Sequence, residues 1–311
     1  MNSHETKAPS RLLATMAMIF MVFPLLAVIP VSFTSKRFLS MPNGNWSLRH
    51  YQALLDSPEW LSAIGQSLVV ATATCIIATA LAVSFSLGIW YLRSRLATLL
   101  IGLVLLPMAI PPMISAMVLY FMETKVSQFA PGLGYDTLFG LTIAHIVMVV
   151  PYGVVTMLVA LSQLDRRIEL AARNLGASLG QTTFMVVLPN LKLGVASTAL
   201  LCFALSWEEI AVTLFVTSTE VNTLPRQIWS GLRDNIDPAV AAISVVLIAL
   251  TFVALVGRMI AQRWIFREFR SRASSLLHNA MPPAQTVGRT TRNGLSAEYL
   301  AADNAGALCT R

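Results

Sequence analysis

LFGLTIAHIVMVVPYGVVTMLVAL, residues 138–161, holds no Asp, Glu, Lys or Arg. It runs directly into SQLDRRIELAARNLGAS, residues 162–178, which holds Asp165, Arg166, Arg167, Glu169 and Arg173. A helix needs about 20 mainly apolar residues to cross a bilayer, and the first stretch meets that length. The same test along the chain places further spans near Leu12–Val31, Gln66–Trp90, Leu96–Phe121, Pro189–Val216 and Pro238–Ile260. The expectation is an all-α polytopic membrane protein with six transmembrane helices. Continuous apolar runs, rather than alternation, exclude barrel strands. Composition agrees, since the 311 residues are 56% apolar and 12% charged. Soluble domains carry about 25% charge, and disorder needs low hydropathy with high charge. Cys75, Cys202 and Cys309 are odd in number and far apart, which supports neither a disulfide framework nor a metal cluster.

The first span has Lys7 and Arg11 as a basic flank. It is longer than a signal-peptide core of roughly 7–15 residues and lacks a clear A-x-A site, so it reads as an uncleaved anchor. With both termini on one side, 16 of the 22 basic residues fall there, leaving only Lys36, Arg37, Arg49, Lys125, Arg226 and Arg233 opposite. The positive-inside rule then makes the termini cytoplasmic. The net charge of +7 is thereby explained by topology, and no nucleic-acid-reading motif accompanies it. Residues 1–11 read as a cytoplasmic N-terminus, 12–265 as the six-span domain, and 266–311, rich in Ser, Ala, Thr and Asn, as a disordered cytoplasmic tail.

The polar stretch after the fourth span, within a loop of about residues 162–189, has helical periodicity. Ile168, Ala171, Ala172 and Leu175 fall at i, i+3, i+4 and i+7, with Arg166, Arg167, Glu169, Arg173 and Asn174 on most of the opposite arc. Leu170 projects into the middle of that polar arc, a position that a buried partner favours over water or headgroups. Gly176 is placed to end this helix. A second short helix is expected through Phe184, Val187 and Leu188 to Pro189, with the proline opening the fifth span.

This loop resembles the cytoplasmic signature loop of bacterial ABC-importer permeases, which reads E-A-A, three residues, Gly, nine residues, Ile-x-Leu-Pro. Here Leu170-Ala171-Ala172 is followed by three residues and Gly176, then nine residues, then Val186-Val187-Leu188-Pro189. The family's glutamate position is Leu170, and Glu169 sits one residue earlier, about 100° around the helix. The resemblance implies that Glu169, Leu170, Ala171, Ala172, Arg173, Gly176, Leu188 and Pro189 form a coupling loop seated on an ATP-hydrolysing subunit. The runs Leu48–Leu55, Ser206-Trp207-Glu208-Glu209 with Phe215-Val216-Thr217, and Leu224–Trp229 are similar to the spermidine/putrescine branch of that family.

No ATP site of its own is visible. Gly176-Ala177-Ser178-Leu179-Gly180-Gln181-Thr182 is one residue short of a P-loop, has Gln181 where lysine belongs, and follows no strand. ATP and Mg are therefore expected on the partner ATPase, with no cofactor or metal on this chain. His145 stands alone within a span and reads as an interhelical hydrogen-bond partner rather than a ligand. Pro107, Pro111 and Pro112 in the third span and Pro151 in the fourth can bend helices. Tyr120, Phe121 and Trp229 suit an interfacial belt.

Glu208 and Glu209 are the acids of the fifth span. If that span enters the membrane near Gly194, Glu208 lies about 21 Å along it, where a carboxylate costs on the order of 2.5–3.5 kcal/mol and faces a cavity or a partner. One reading has Glu208 and Glu209 lining a pathway for a cationic solute, with Trp207 offering a cation–π face; the other makes them an interhelical salt bridge or places them at the outer headgroups. The expected function is the transmembrane permease subunit of an ATP-driven importer in a bacterial inner membrane, moving a polyamine such as putrescine or spermidine. Its expected partners are a second permease, two ATPase subunits, a periplasmic solute-binding protein and lipid. Opines, amino-acid derivatives and thiamine remain alternative solutes within the family. The runner-up is a stand-alone secondary transporter of organic cations, which would need internal repeats and midplane ion ligands; an enzyme would need a convergent catalytic set, and none is visible.

Overall fold

A computed structural model describes residues 7–92, 95–235, 237–253 and 256. It divides into a unit of Met1–Ile248 and a second of Ala249–Arg311, and the account below concerns the first. The predicted tail, residues 266–311, and the end of the predicted sixth span lie outside the described residues.

The elements are α1 (Lys7–Ser32), α2 (Arg49–Asp56), α3 (Pro58–Tyr91), α4 (Arg95–Ala109), α5 (Pro112–Phe129), α6 (Leu138–Ser162) and α7 (Arg166–Asn174). Next come α8 (Leu179–Gln181), a π-helical run Thr182–Val187, α9 (Leu188–Asn190), α10 (Lys192–Trp207), α11 (Ala211–Val216) and α12 (Leu224–Ser230). An apolar helix, α13 (Ala239–Val253), follows. No strand occurs among the described residues, apart from an isolated bridge between Thr34 and Trp46.

Among the described residues three unbroken helices, Ser10–Ser32, Pro58–Tyr91 and Leu138–Ser162, are long and apolar enough to cross a membrane. Two more spans arise if each of two bent pairs counts as one. Both bent pairs interrupt an expected span, the third at prolines placed to bend it. Between α4 and α5 the chain turns by 100°, because Pro111 and Pro112 each push the preceding residue out of the helical region; Pro111 itself is extended, at φ −54° and ψ 135°. The expected fifth span, Pro189–Val216, is likewise interrupted. Pro189 lies in α9, a 72° bend separates Leu179–Asn190 from Lys192–Trp207, and the helix lapses again before α11. Pro151, by contrast, sits inside an unbroken α6.

The core is the packing of α3, α6 and α10. On α3, Ala63, Ser67, Ala71, Thr74, Ala78, Ala82 and Ser86 are all buried, a row of small side chains at nearly fourfold spacing. Small residues let membrane helices approach closely, since lipid supplies no hydrophobic drive between them. A Cβ placed on Gly153 of α6 would lie 3.1 Å from both Ala82 Cβ and Cys202 Sγ, and one on Gly194 of α10 would lie 2.5 Å from Ala160 Cβ. Glycine at these two crossings sets the interhelical distance. Helix α1 is unlike the core: no residue of its apolar window is buried within this chain, as suits a helix apolar on all sides that meets lipid or another chain.

The connections at the other ends of the spans are held by polar side chains. Asp136, at φ +58°, precedes α6, and its carboxylate accepts the backbone N–H groups of Ser218, Thr219, Glu220 and Val221 at 2.7, 2.9, 3.1 and 3.2 Å. Burial alone would raise this carboxyl, but the four donors outweigh it and hold it below its usual range. Gln66 Oε1 and Ser67 Oγ of α3 take the N–H groups of Asn222 and Leu224 at 2.8 Å each. One loop is thereby fastened to both α3 and the entry of α6.

Candidate functional site

Two places hold the residues that the sequence singles out. The first is the loop after α6. Asp165 opens α7, its side chain accepting Arg167 N–H at 2.9 Å. The helix stops where expected: Gly176 has φ +89°, and Ala177 N–H to Ala172 O at 3.1 Å with Gly176 N–H to Arg173 O at 3.0 Å close a Schellman motif. Ser178 and Gln181 then form a capping box that starts α8. The stretch that imitates a P-loop is therefore a helix stop followed by a helix start.

Helix α7 turns Arg166 and Glu169 toward the rest of the chain, Glu169 being 5% exposed, and leaves Arg167 and Asn174 exposed. Glu169 Oε2 accepts the Trp90 Nε1–H bond at 3.2 Å, and its Oε1 lies 3.6 Å from Arg173 Nη1. Arg166 donates to the Trp90 carbonyl at 3.1 Å and places its guanidinium 4.2 Å over the Trp90 ring. One residue further on, Tyr91 O–H meets Thr183 Oγ1 at 2.8 Å. The end of α3 thus holds both α7 and the π-helical run. The Trp90 ring also packs against the buried cluster of Met157, Leu161, Val187 and Leu191.

The apolar side faces out. Leu170 is 48% exposed and Leu175 89%, beside Phe184 at 71% and Met185 at 73%, with Ile168 and Leu179 also exposed. Ala171, Arg173 and Pro189 are exposed as well, while Ala172 and Leu188 are half-buried. Leu170 therefore finds no buried partner within this chain. Trp90 was not among the residues singled out, and a tryptophan ending a long apolar run was its available signal.

The second place is the gap between α10 and α11. With 16 residues, α10 covers about 24 Å, short of a hydrocarbon core of about 30 Å, so the gap falls before a full crossing. Glu209 Oε1 accepts Val212 N–H at 3.1 Å, and its carbonyl accepts the Thr213 hydroxyl at 2.9 Å. It caps α11 and is half-buried, whereas Glu208 is exposed at the end of α10. Sequence spacing treated the two acids alike, and the structure separates them. Trp207 stacks on Phe203 at 5.9 Å and packs against the cluster of Leu54, Trp60 and Leu224.

His145 of α6 staples the gap. It is 1% exposed, with Nδ1 at 2.9 Å from Ser206 Oγ and Nε2 at 3.1 Å from Thr213 Oγ1. This is the interhelical role that its isolation in a span suggested. Among the described residues no group of three or more His, Cys, Asp or Glu could hold a metal ion.

Helices of this length and apolarity make this an all-helical multipass membrane protein. Residues 80–269 match the family described as "Binding-protein-dependent transport system inner membrane component", and the chain belongs to that family. It is 28% identical over 242 residues to the putrescine transport system permease protein PotI of Escherichia coli (strain K12), covering 76% of this chain and 84% of that protein. It is 33% identical over 215 residues to a probable molybdenum ABC transporter permease protein of Haloferax volcanii, covering 66% of this chain and 77% of the relative. In fold it is similar to a solved bacterial ABC transporter involved in import of the acidic polysaccharide alginate, with a TM-score of 0.62 at 17% identity over 83% of this chain and 98% of that one.

Proposed function

We propose that this chain is a six-span permease subunit that moves a small organic cation inward, a polyamine such as putrescine first among candidates. The bent pairs α4–α5 and α9–α10 each count as one crossing, and α13 begins the last. Both termini and the loop 162–189 lie in the cytoplasm, ATP and Mg are bound by a separate subunit, and a second permease completes the path. A periplasmic binding protein loads the opposite face, formed by residues 36–60 and 217–237.

The observation that carries this reading is the set of uncovered apolar side chains Ile168, Leu170, Leu175, Phe184 and Met185. They stand on a loop that also carries Arg166, Arg167 and Arg173, and an exposed patch of this kind marks an interaction site. The ATPase subunit is its proposed occupant. Closure of the ATPase pair then carries α7 with it and re-aims the spans. For the solute, the support is the PotI relative together with Glu208, exposed at the end of α10 where helix-end carbonyls add negative potential.

A second reading, an oxyanion solute, is favoured by the Haloferax volcanii relative. Uptake of labelled putrescine into vesicles holding the assembled transporter separates the two. Glu208→Gln is expected to raise the apparent KM about tenfold with assembly intact, as loss of one charge-assisted contact of about 1.4 kcal/mol requires. Unchanged KM, or uptake of molybdate in place of putrescine, refutes the cation reading.

A further inference from the structure

We infer that Trp90 and Glu169 form the joint through which movement of α7 reaches the membrane, so that both act as positioning residues for transport; this rests on the permease reading above. In the signature loop the acidic position is Leu170, and in this chain it is 48% exposed on the docking side. The carboxylate stands one residue earlier and points inward, to the edge of the Trp90 indole at 3.2 Å.

Trp90 is built to pass a displacement on. Its N–H holds Glu169, its ring lies under the Arg166 guanidinium at 4.2 Å, and its carbonyl takes a second bond from Arg166 at 3.1 Å. These contacts approach from different directions, so α7 cannot slide or turn without dragging the indole. The ring in turn packs against Met157 and Leu161 of α6 and against Val187 and Leu191 at the bend before α10. Close packing transmits such a shift, because interiors rearrange between discrete states rather than yielding gradually. Trp90, itself at the end of α3, therefore packs against a cluster drawn from α6 and from the bend before α10.

The test uses the complete transporter in vesicles, with putrescine uptake and ATP hydrolysis measured on the same preparation. Glu169→Ala and Trp90→Phe are each expected to lower solute moved per ATP about tenfold, while hydrolysis continues. Glu169→Gln keeps an acceptor for the indole and is expected to stay within about twofold of the parent. The double variant Glu169→Ala with Trp90→Phe is expected to match either single change, because both remove one contact. Trp90→Phe keeps the ring and its packing, so it carries the test even if Glu169→Ala fails to assemble. A purely architectural role would lower the amount of complex and leave its solute-to-ATP ratio unchanged; that result, or additive losses, overturns the inference. Failure of the parent transporter to couple uptake to ATP instead refutes the permease reading, and this inference with it.

Discussion

Replacing Asp136 isolates the fastening between the α5–α6 connection and the loop 217–221. Its carboxylate accepts four backbone N–H groups, those of Ser218 and Val221 in part-buried positions and those of Thr219 and Glu220 in exposed ones. In Asp136→Ala the exposed pair turns to water at little cost, while the part-buried pair loses bonds to a charged group worth about 1.5 kcal/mol or more each. The loop should then open more easily by about 3 kcal/mol, roughly 100-fold in its opening constant. Asp136→Asn keeps one acceptor oxygen without charge, and about half that effect is expected, roughly tenfold. Hydrogen exchange of peptides covering 217–223 reads the opening directly, with α7 peptides as an unaffected control. Because the folded-state carboxyl sits below its usual value, its contribution is complete above about pH 4 and is lost only as pH falls through the lowered folded value. Exchange within twofold of the parent in Asp136→Ala would refute the reasoning, because four bonds to one carboxylate cannot be both present and inconsequential.

Two further changes test the helix packing. Gly194→Ala puts a methyl group where 2.5 Å separates it from Ala160 Cβ, so detergent-solubilised protein should lose about 1–3 kcal/mol of stability by overpacking, and adding Ala160→Gly should restore it; a fully stable Gly194→Ala would show that the α6–α10 crossing is looser than described. His145→Leu removes the bonds to Ser206 and Thr213, each worth about 0.6–1.7 kcal/mol inside a membrane, and thermal unfolding should fall accordingly, with Ser206→Ala costing nothing further in that background.

Hydropathy alone reached the long helices, because a run such as residues 138–161 has no soluble alternative. It also flagged Pro111 and Pro112, whose effect on the preceding backbone is local and so visible in sequence. The other interruption was not visible. Ser206-Trp207-Glu208-Glu209 holds neither Gly nor Pro, and what stops α10 there is Glu209 turning to cap the next helix while His145, more than 60 residues away in sequence, holds Ser206 and Thr213. The Asp136 fastening spans 82 residues or more and depends on a backbone conformation, φ +58°, that composition does not announce.

Helix α7 shows that periodicity alone does not say what each side of a helix meets. The apolar stripe was legible, and in a soluble protein such a stripe faces the core. Here the surface available within the chain is the end of α3, and it offers a ring face that attracts a guanidinium and a ring N–H that seeks a carboxylate. Arg166 and Glu169 satisfy both, so that edge of the polar arc turns inward, while Arg167, Arg173 and Asn174 stay exposed with the leucines. A helix of only nine residues is too short to be stable in water by its own hydrogen bonds, and its exposed leucines add nothing to its stability until something covers them. Arg166 and Glu169 tie the helix to this chain, and under the proposed function its exposed leucines are the part that the ATPase subunit covers, so one short helix is held from one side and pushed from the other.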